Sequence, residues 1–154
     1  MRVVVVAVGR PSSGWAQQAC DDYARRCVRW GGVEAAWVRH EPFRGDVDAV
    51  RLAEGERVRK TLGERDRVVV LDERGDDVDT EAFTRLVDLA RTEGATRLVF
   101  ALGGAYGHAP GARARAWRVV RLSSLVLNHE VARVVLHEQI YRAFAALHGV
   151  PYAH

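Results

Sequence analysis

Leu98-Val99-Phe100-Ala101-Leu102, followed at once by Gly103-Gly104-Ala105-Tyr106-Gly107, is the stretch of sequence that decides the fold class. A continuous apolar run of this length, bounded by glycines, is typical of a strand buried on both faces. A second compact loop, Leu122-Ser123-Ser124-Leu125-Val126-Leu127, begins fifteen residues after Gly107, and a long apolar helix closes the chain. Two loops that expose backbone groups beside a strand end indicate a pocket for a nucleotide-like ligand, and therefore an enzyme.

Apolar runs alternate with amphipathic segments along the rest of the chain. The strand-like runs are 3–8, 33–38, 68–71 and 98–102, the last being the final clear strand. Helices are predicted from a cap at Ser13 to about residue 30, over 47–62, from a cap at Asp79 or Thr80 to 93, and over 130–148. This alternation is typical of a mainly parallel sheet with helices on both faces. We therefore predict a single α/β domain over residues 1–154.

Composition narrows the class of protein. The chain has 154 residues, a net charge of +3 and a pI near 9.2, so it can build one sizeable core and is only mildly basic. The sequence contains no run of eighteen apolar residues, which predicts a cytoplasmic protein without a membrane span. Cys20 and Cys27 lie seven apart on a helical pattern and are predicted to be free, buried thiols.

The closing helix carries two apolar faces. One stripe consists of Ala132, Leu136, Ile140, Ala143, Phe144 and Leu147, and a second set consists of Val131, Val134, Val135 and Ala145. A surface helix needs only one apolar face, so the second set predicts burial against another subunit, as in a homodimer. The alternative is a central helix within a monomer.

The sequence offers three candidate ligand-binding elements: Leu71-Asp72 after the third predicted strand, Gly103-Gly104 with Gly107 after the fourth, and the 122–127 loop. Ligands of open α/β sheets bind beyond the carboxyl ends of the strands. Glycine lets backbone N–H and C=O groups approach an adenine edge or a ribose closely. The pattern Gly-Gly-x-x-Gly is equally compatible with a tight turn between a strand and a helix.

The titratable residues of the last third leave several roles open. His129 is a candidate base, substrate donor or structural histidine. Arg133 and Arg142 are spaced either to meet two phosphates or to form ion pairs with glutamates of the same helix. The other histidines of this region lack partners at metal-ligand spacing, so no metal is predicted; they are His108, His137 and His148.

In their order along the chain, these motifs resemble the SPOUT-class methyltransferase family of ribosomal RNA large subunit methyltransferase H. The resemblance extends over essentially the whole chain, including Val8-Gly9, Glu54-Gly55-Glu56 and Leu71-Asp72. It is densest in Leu122-Ser123-x-Leu125-x-Leu127-x-His129, Val131-x-Arg133-Val134, Glu138-Gln139-x-Tyr141-Arg142-Ala143 and Pro151-Tyr152.

The resemblance implies an α/β fold in which the C-terminal segment, about residues 98–154, forms a deep trefoil knot. It implies S-adenosylmethionine held by the knot loops, at Leu71, Gly103, Gly104, Gly107, Leu122, Ser123, Ser124, Leu125, Val126 and Leu127. It also implies a homodimer through the knot and the last helix. The implied substrate is a pseudouridine of large-subunit (23S) rRNA, methylated on N3 of the base within the assembled ribosome. The candidate catalytic residues are then His129, Arg142 and Tyr152, and the candidate substrate-binding residues are Tyr106, Arg133 and His154.

Several substrate-side positions depart from the family pattern. Ala105-Tyr106 stands where the family usually carries Pro-Glu, the loop over 40–48 is far more acidic than the lysine-rich loop of the family, and the tail reads Pro151-Tyr152-Ala153-His154. Fewer lysines should weaken contact with an RNA backbone, whereas Tyr106 adds a stacking surface. Two enzymatic hypotheses follow, methylation of rRNA and methylation of a free nucleoside or small heteroaromatic metabolite. A third is a protein that binds the cofactor without turnover.

Overall fold

The structure, a computed structural model, describes residues 1–152. Within them the strands are β1 (Arg2–Val8), β2 (Val33–Val38), β3 (Asp66–Asp77), β4 (Arg97–Leu102) and β5 (Arg118–Arg121). The helices are α1 (Gly14–Cys27), α2 (Val47–Arg59), α3 (Thr80–Thr92), α4 (Pro110–Arg115) and α5 (His129–Leu147). The strands form one sheet in the order β2-β1-β4-β3-β5, and every neighbouring pair is parallel. The predicted parallel α/β architecture is confirmed.

The sheet is covered on both faces because its central strands are continuous apolar runs. On one face Val5 of β1 belongs to a core that includes Phe83 of α3 and Ile140 of α5. On the other face Val6 belongs to a smaller core against which Val58 of α2 packs. Successive residues of a strand point to opposite faces, so both faces of such a strand are buried.

The helix starts agree with the predicted caps, with one difference. Asp79 accepts a hydrogen bond from the Ala82 N–H at 2.7 Å and begins α3. Ser13 stands at the N-cap position of α1, but its side chain makes no cap hydrogen bond there. Its hydroxyl instead donates to the carboxylate of Glu130, at the start of α5. The loop before α1 is therefore attached to the last helix of the chain.

The edge of the sheet was predicted wrongly. The strand predicted at 68–71 continues to Asp77, and β5 and α4 were not predicted at all. Polar residues make the second half of β3 look like a loop, but the strand bends and pairs again, with Asp76 opposite Val120. Gly75 makes this possible, since a Cβ there would lie 2.6 Å from backbone atoms of Val120. The guanidinium of Arg121 donates to Asp77 at 2.7 Å and links β5 to the end of β3.

Helix α5 packs against both α1 and α3 within the protomer. This position accounts for Ala145, which is buried, whereas Val131 remains exposed. The central-helix alternative thus explains part of the second apolar set, and the homodimer stays a prediction. Cys20 and Cys27 are buried free thiols, as predicted. Among residues 1–152, no helix is long and apolar enough to cross a membrane.

Candidate active site

The carboxyl ends of β4 and β5 and the bend in β3 after Leu71 meet around one cleft of about 830 Å³. Leu71 of β3, Gly103 after β4 and Leu122 after β5 all line it, as do His129 and Tyr106. Gly104, Gly107 and Leu127 complete the set of predicted residues that line this cleft. The parallel sheet brings these loops together because all its strands end at the same edge.

The loop over 122–127 has a second hollow on its other side. This hollow, of about 490 Å³, is lined by Ser123, Ser124, Leu125 and Val126, and it shares Leu71, Leu122 and Leu127 with the cleft. The hydroxyl of Ser123 accepts the Leu125 N–H at 2.9 Å, which fixes the first turn of the loop. Leu125 and Val126 are 74% and 97% exposed. The whole predicted cofactor set therefore lies around two adjoining hollows.

The glycine turn after β4 is too tight for side chains at its inner positions. The N–H of Gly107 donates to the Gly104 carbonyl at 3.0 Å, and Gly107 has a φ of +80°. A Cβ on Gly103 would lie 2.9 Å from the carbonyl carbon of Gly107. The tight-turn interpretation of the Gly-Gly-x-x-Gly pattern is confirmed; the turn also lines the cleft, and its binding of a ligand stays a prediction.

Polar contacts around Asp72 and His108 hold the middle of β3 in place beside the cleft. Asp72 accepts the Arg74 N–H at 2.9 Å and the guanidinium of Arg113 at 2.8 Å. Burial favours the neutral form of Asp72, but these hydrogen bonds and the Arg113 charge outweigh it and lower its pKa. His108 donates from Nε2 to the Leu71 carbonyl at 3.0 Å, and burial lowers its pKa, so the ring stays neutral. The sequence pointed to Asp72, the carboxylate directly after the apolar run 68–71, but it did not indicate Arg113.

Arg133 is buried behind the cleft, with 2% of its surface exposed. Its guanidinium lies 4.1 Å from the ring centroid of Trp37, and Nη2 donates to Oε1 of Gln17 at 3.0 Å. Nε and Nη1 are buried and make no hydrogen bond within the described part of the chain. Arg133 and His129 line one small hollow together with Gly9, at the ends of β1 and β4.

Glu130 does not pair with Arg133. Its carboxylate accepts the N–H groups of Ser12 and Ser13 at 2.8 and 3.0 Å, as well as both serine hydroxyls. These hydrogen bonds lower the pKa of Glu130 to about 2, and the bond from the Ser13 hydroxyl has the largest effect. Of the two ion pairs that the sequence left open on α5, this one does not form.

Arg142 forms the other ion pair. Its Nη2 lies 2.6 Å from Oε1 of Glu138, and this hydrogen bond raises the pKa of Arg142. The guanidinium is 4.9 Å from the ring centroid of Tyr152, whose hydroxyl donates to the same Glu138 oxygen at 3.2 Å. The pKa of Tyr152 is raised, and burial is the largest cause.

The three candidate catalytic residues do not meet within one protomer. Arg142 and Tyr152 touch each other, but His129 stands thirteen residues before Arg142 on α5. At a rise of 1.5 Å per residue this separates their backbones by roughly 20 Å. His154, a candidate substrate residue, lies outside the described residues. Over residues 1–152 the structure groups no three His, Cys, Asp or Glu side chains that could hold a metal ion.

Fold and site together define an α/β enzyme with a glycine-walled cleft at the carboxyl edge of a parallel sheet. A family model described as "Predicted SPOUT methyltransferase" matches residues 1–154, and the chain belongs to this methyltransferase family.

Relatives of known description match along the whole chain. A ribosomal RNA large subunit methyltransferase H from Geotalea daltonii is 38% identical over 154 residues, covering all of both proteins. The protein of the same name from Geobacter metallireducens is 39% identical over all of this chain and 99% of its own length. A putative RNA methyltransferase from Arabidopsis thaliana is 42% identical over 97% of this chain and 78% of its own length.

Proposed function

We propose that this protein transfers a methyl group from S-adenosylmethionine to N3 of a pseudouridine base in large-subunit (23S) rRNA. The observation that carries the proposal is the meeting of the three loops around one cleft, in a chain similar from end to end to proteins named for rRNA methylation. The proposal includes a single domain over 1–154, a trefoil knot over about 98–154 and a cytoplasmic location, where ribosomes are.

The cleft has the size and the walls that the cofactor needs. Its volume of about 830 Å³ lies within the roughly 300–1,000 Å³ range of small-molecule sites. Gly103 and Gly104 line the cleft and carry no side chains, so their N–H and C=O groups can meet an adenine edge or ribose hydroxyls. His108 and Asp72 hold the part of β3 that presents Leu71. The 122–127 loop supplies the opposite wall.

S-adenosylmethionine, when bound, supplies an electrophilic methyl group. The work of the chain is to hold the substrate nitrogen in line with that group and to exclude water. The N3–H of the base must also lose its proton, so a base or a nearby cation is needed. His129 lines the cleft and is the candidate base, while the Arg142 guanidinium is the candidate group that stabilises the ring anion.

The proposal requires a homodimer because one protomer does not complete the site. Arg142 lies far from His129 on the same helix and contacts Tyr152, so both would reach a cleft only from a second protomer. Closed two-fold dimers bring the same surface of each subunit together, which places two copies of α5 side by side. The exposed Val131 at the start of α5 would be covered in such a dimer.

A second candidate function is methylation of a free nucleoside or small heteroaromatic metabolite. Tyr106, at the mouth of the cleft in place of the family's acid, is the observation that favours it. A cofactor-binding protein without turnover is the remaining alternative.

One pair of measurements separates these functions. Calorimetry should show binding of S-adenosylmethionine, and tritium from labelled cofactor should appear in 23S rRNA of ribosomes that lack the modification. Label in nucleosides but not in ribosomes would favour the second function. Binding without any transfer would favour the third, and folded protein that does not bind would exclude all three.

A further inference from the structure

Two exposed aromatic rings lie against each other at the mouth of the cleft. The ring centroids of Phe43 and Tyr106 are 5.6 Å apart, with an angle of 34° between the planes. Phe43 is 54% exposed and Tyr106 is 38% exposed. One comes from the loop between β2 and α2, and the other from the glycine turn. Exposed, touching aromatic rings are a surface on which a further ring can stack.

One member of this aromatic pair, Tyr106, is held in position relative to the cleft. Nε of Arg51 donates to the Tyr106 carbonyl at 2.7 Å, which links α2 to the glycine turn. Nη1 of Arg51 lies 3.2 Å from Asp48, so the arginine is itself held. Tyr106, Arg51 and Asp48 all line the cleft. Tyr106 is therefore part of the cleft wall, and Phe43 packs against its ring.

The acidic residues of the neighbouring loop are engaged by partners within the chain. Asp46 accepts the backbone N–H groups of Asp48 and Ala49 as the cap of α2, and Asp48 pairs with Arg51. Glu41 pairs with Arg57. Arginines therefore offset the charges of Asp48 and Glu41, whereas Asp46 keeps its charge.

Arg44, directly after Phe43, is exposed. Within residues 1–152 its guanidinium makes no ion pair or hydrogen bond. A free cation next to two aromatic faces is the combination that single-stranded nucleic acid binds, through its phosphate and its base.

We propose that Phe43 and Tyr106 form a stacking platform for an unpaired nucleobase of the RNA substrate, with Arg44 contacting a phosphate of the same strand. This inference rests on the proposed function. The platform lies beside the cleft, so the base that it holds is either the target base or its neighbour. The platform also fixes the distance between the RNA strand and the cofactor loops. Because stacking accepts any base, the platform positions the strand without reading its sequence.

The test compares variants of the full-length protein. Phe43→Leu with Tyr106→Leu removes both rings, whereas Phe43→Tyr with Tyr106→Phe keeps them. With ribosomes as substrate, we expect the leucine pair to raise KM roughly tenfold or more, without weakening cofactor binding in calorimetry. The ring-preserving pair should restore the KM. Leu89→Ala, at an exposed apolar position on α3, is a control that should leave KM unchanged.

A second measurement keeps this inference separate from the proposed function. A short single-stranded RNA that carries 2-aminopurine should lose fluorescence on binding to wild type, and the leucine pair should abolish this quenching. If wild type quenches the probe but never methylates ribosomes, the platform stands and the proposed substrate is wrong. If the leucine pair leaves KM unchanged in an active enzyme, the platform proposal is wrong. The proposal is also wrong if the leucine pair raises KM but wild type does not quench the probe, because the rings would then contact a ribosomal protein. A wild type that neither methylates ribosomes nor quenches the probe contradicts the proposal as well.

Discussion

The guanidinium of Arg133 lies 4.1 Å from the centre of the Trp37 ring, in a buried site where no carboxylate pairs with it among the described residues. Burial lowers the pKa of Arg133, because removing the cation from water is costly. The ring face of Trp37 and the side-chain oxygen of Gln17 are the groups that stabilise the charge there. A desolvated cation–π contact is worth about 2 kcal/mol. Trp37 is thus as much a part of this site as the arginine.

A double-mutant cycle tests the Trp37–Arg133 contact. Trp37→Leu leaves the buried cation without its aromatic face, and Arg133→Met removes the charge while keeping an unbranched side chain. We expect a coupling free energy of about 2 kcal/mol between the two substitutions, measured by urea unfolding. Additive effects of the two substitutions would show that the ring does not stabilise the charge.

Gly103→Ala tests the glycine turn as the wall of the cofactor site. A Cβ at Gly103 would lie 2.9 Å from the carbonyl carbon of Gly107, so the turn must shift. We expect the affinity for S-adenosylmethionine to fall about tenfold or more, equivalent to at least about 1.4 kcal/mol of binding free energy in calorimetry.

Gly111→Ala is the matched control for this substitution. Gly111 is a helical glycine whose added Cβ would meet no atom within 4 Å. Its affinity for the cofactor should therefore match that of wild type. Equal affinity in both variants would mean that the turn does not contact the cofactor.

The contact between Glu130 and the loop before α1, which contains Ser12 and Ser13, should weaken in acid. The pKa of Glu130 is about 2 in the folded protein, below its ordinary value of 4.5. A lowered folded-state pKa stabilises the fold above the unfolded value, and this stabilisation is lost as the pH falls from about 4.5 towards 2. Wild type should therefore melt at a higher temperature than Glu130→Gln at pH 6, and the difference in Tm should shrink as the pH falls through that window.

Glu64→Gln, at an exposed position outside these contacts, is the control and should have the same Tm as wild type at pH 6. A difference between wild type and Glu130→Gln that is constant with pH would contradict the assignment.

The elements that the sequence predicted well are those with continuous apolar runs. Strand β4 and its glycine turn could be read directly, and the parallel arrangement then required Leu71 and Gly103 to meet at one edge. Strand β5 could not be read in the same way, because only Val119 and Val120 separate its two terminal arginines. Its pairing with the polar half of β3 is a tertiary contact with no local signal.

Long-range polar contacts were equally invisible along the chain. An arginine on an amphipathic helix is usually solvated, so nothing local to Arg133 indicated that Trp37 would cover it. The ion pair between Glu41 of the 40–48 loop and Arg57 of the following helix was invisible for the same reason.

The distance between His129 and Arg142 leads to a test with mixed dimers. His129→Ala and Arg142→Ala should each abolish methyl transfer while sparing affinity for S-adenosylmethionine. When the two variants are co-expressed, half of the dimers are mixed. In each mixed dimer one cleft then has both side chains intact, and the other has neither.

The expected activity of the co-expressed sample is about a quarter of wild type, because half of the clefts in half of the dimers are complete. If both residues acted on the cleft of their own protomer, every cleft would lack one of them and no activity would return. Co-expressed Arg142→Ala and Tyr152→Ala provide the control. These two residues touch within one protomer, so they should serve the same cleft and should not complement each other. Activity of this control mixture close to a quarter of wild type would show that Arg142 and Tyr152 act at different clefts.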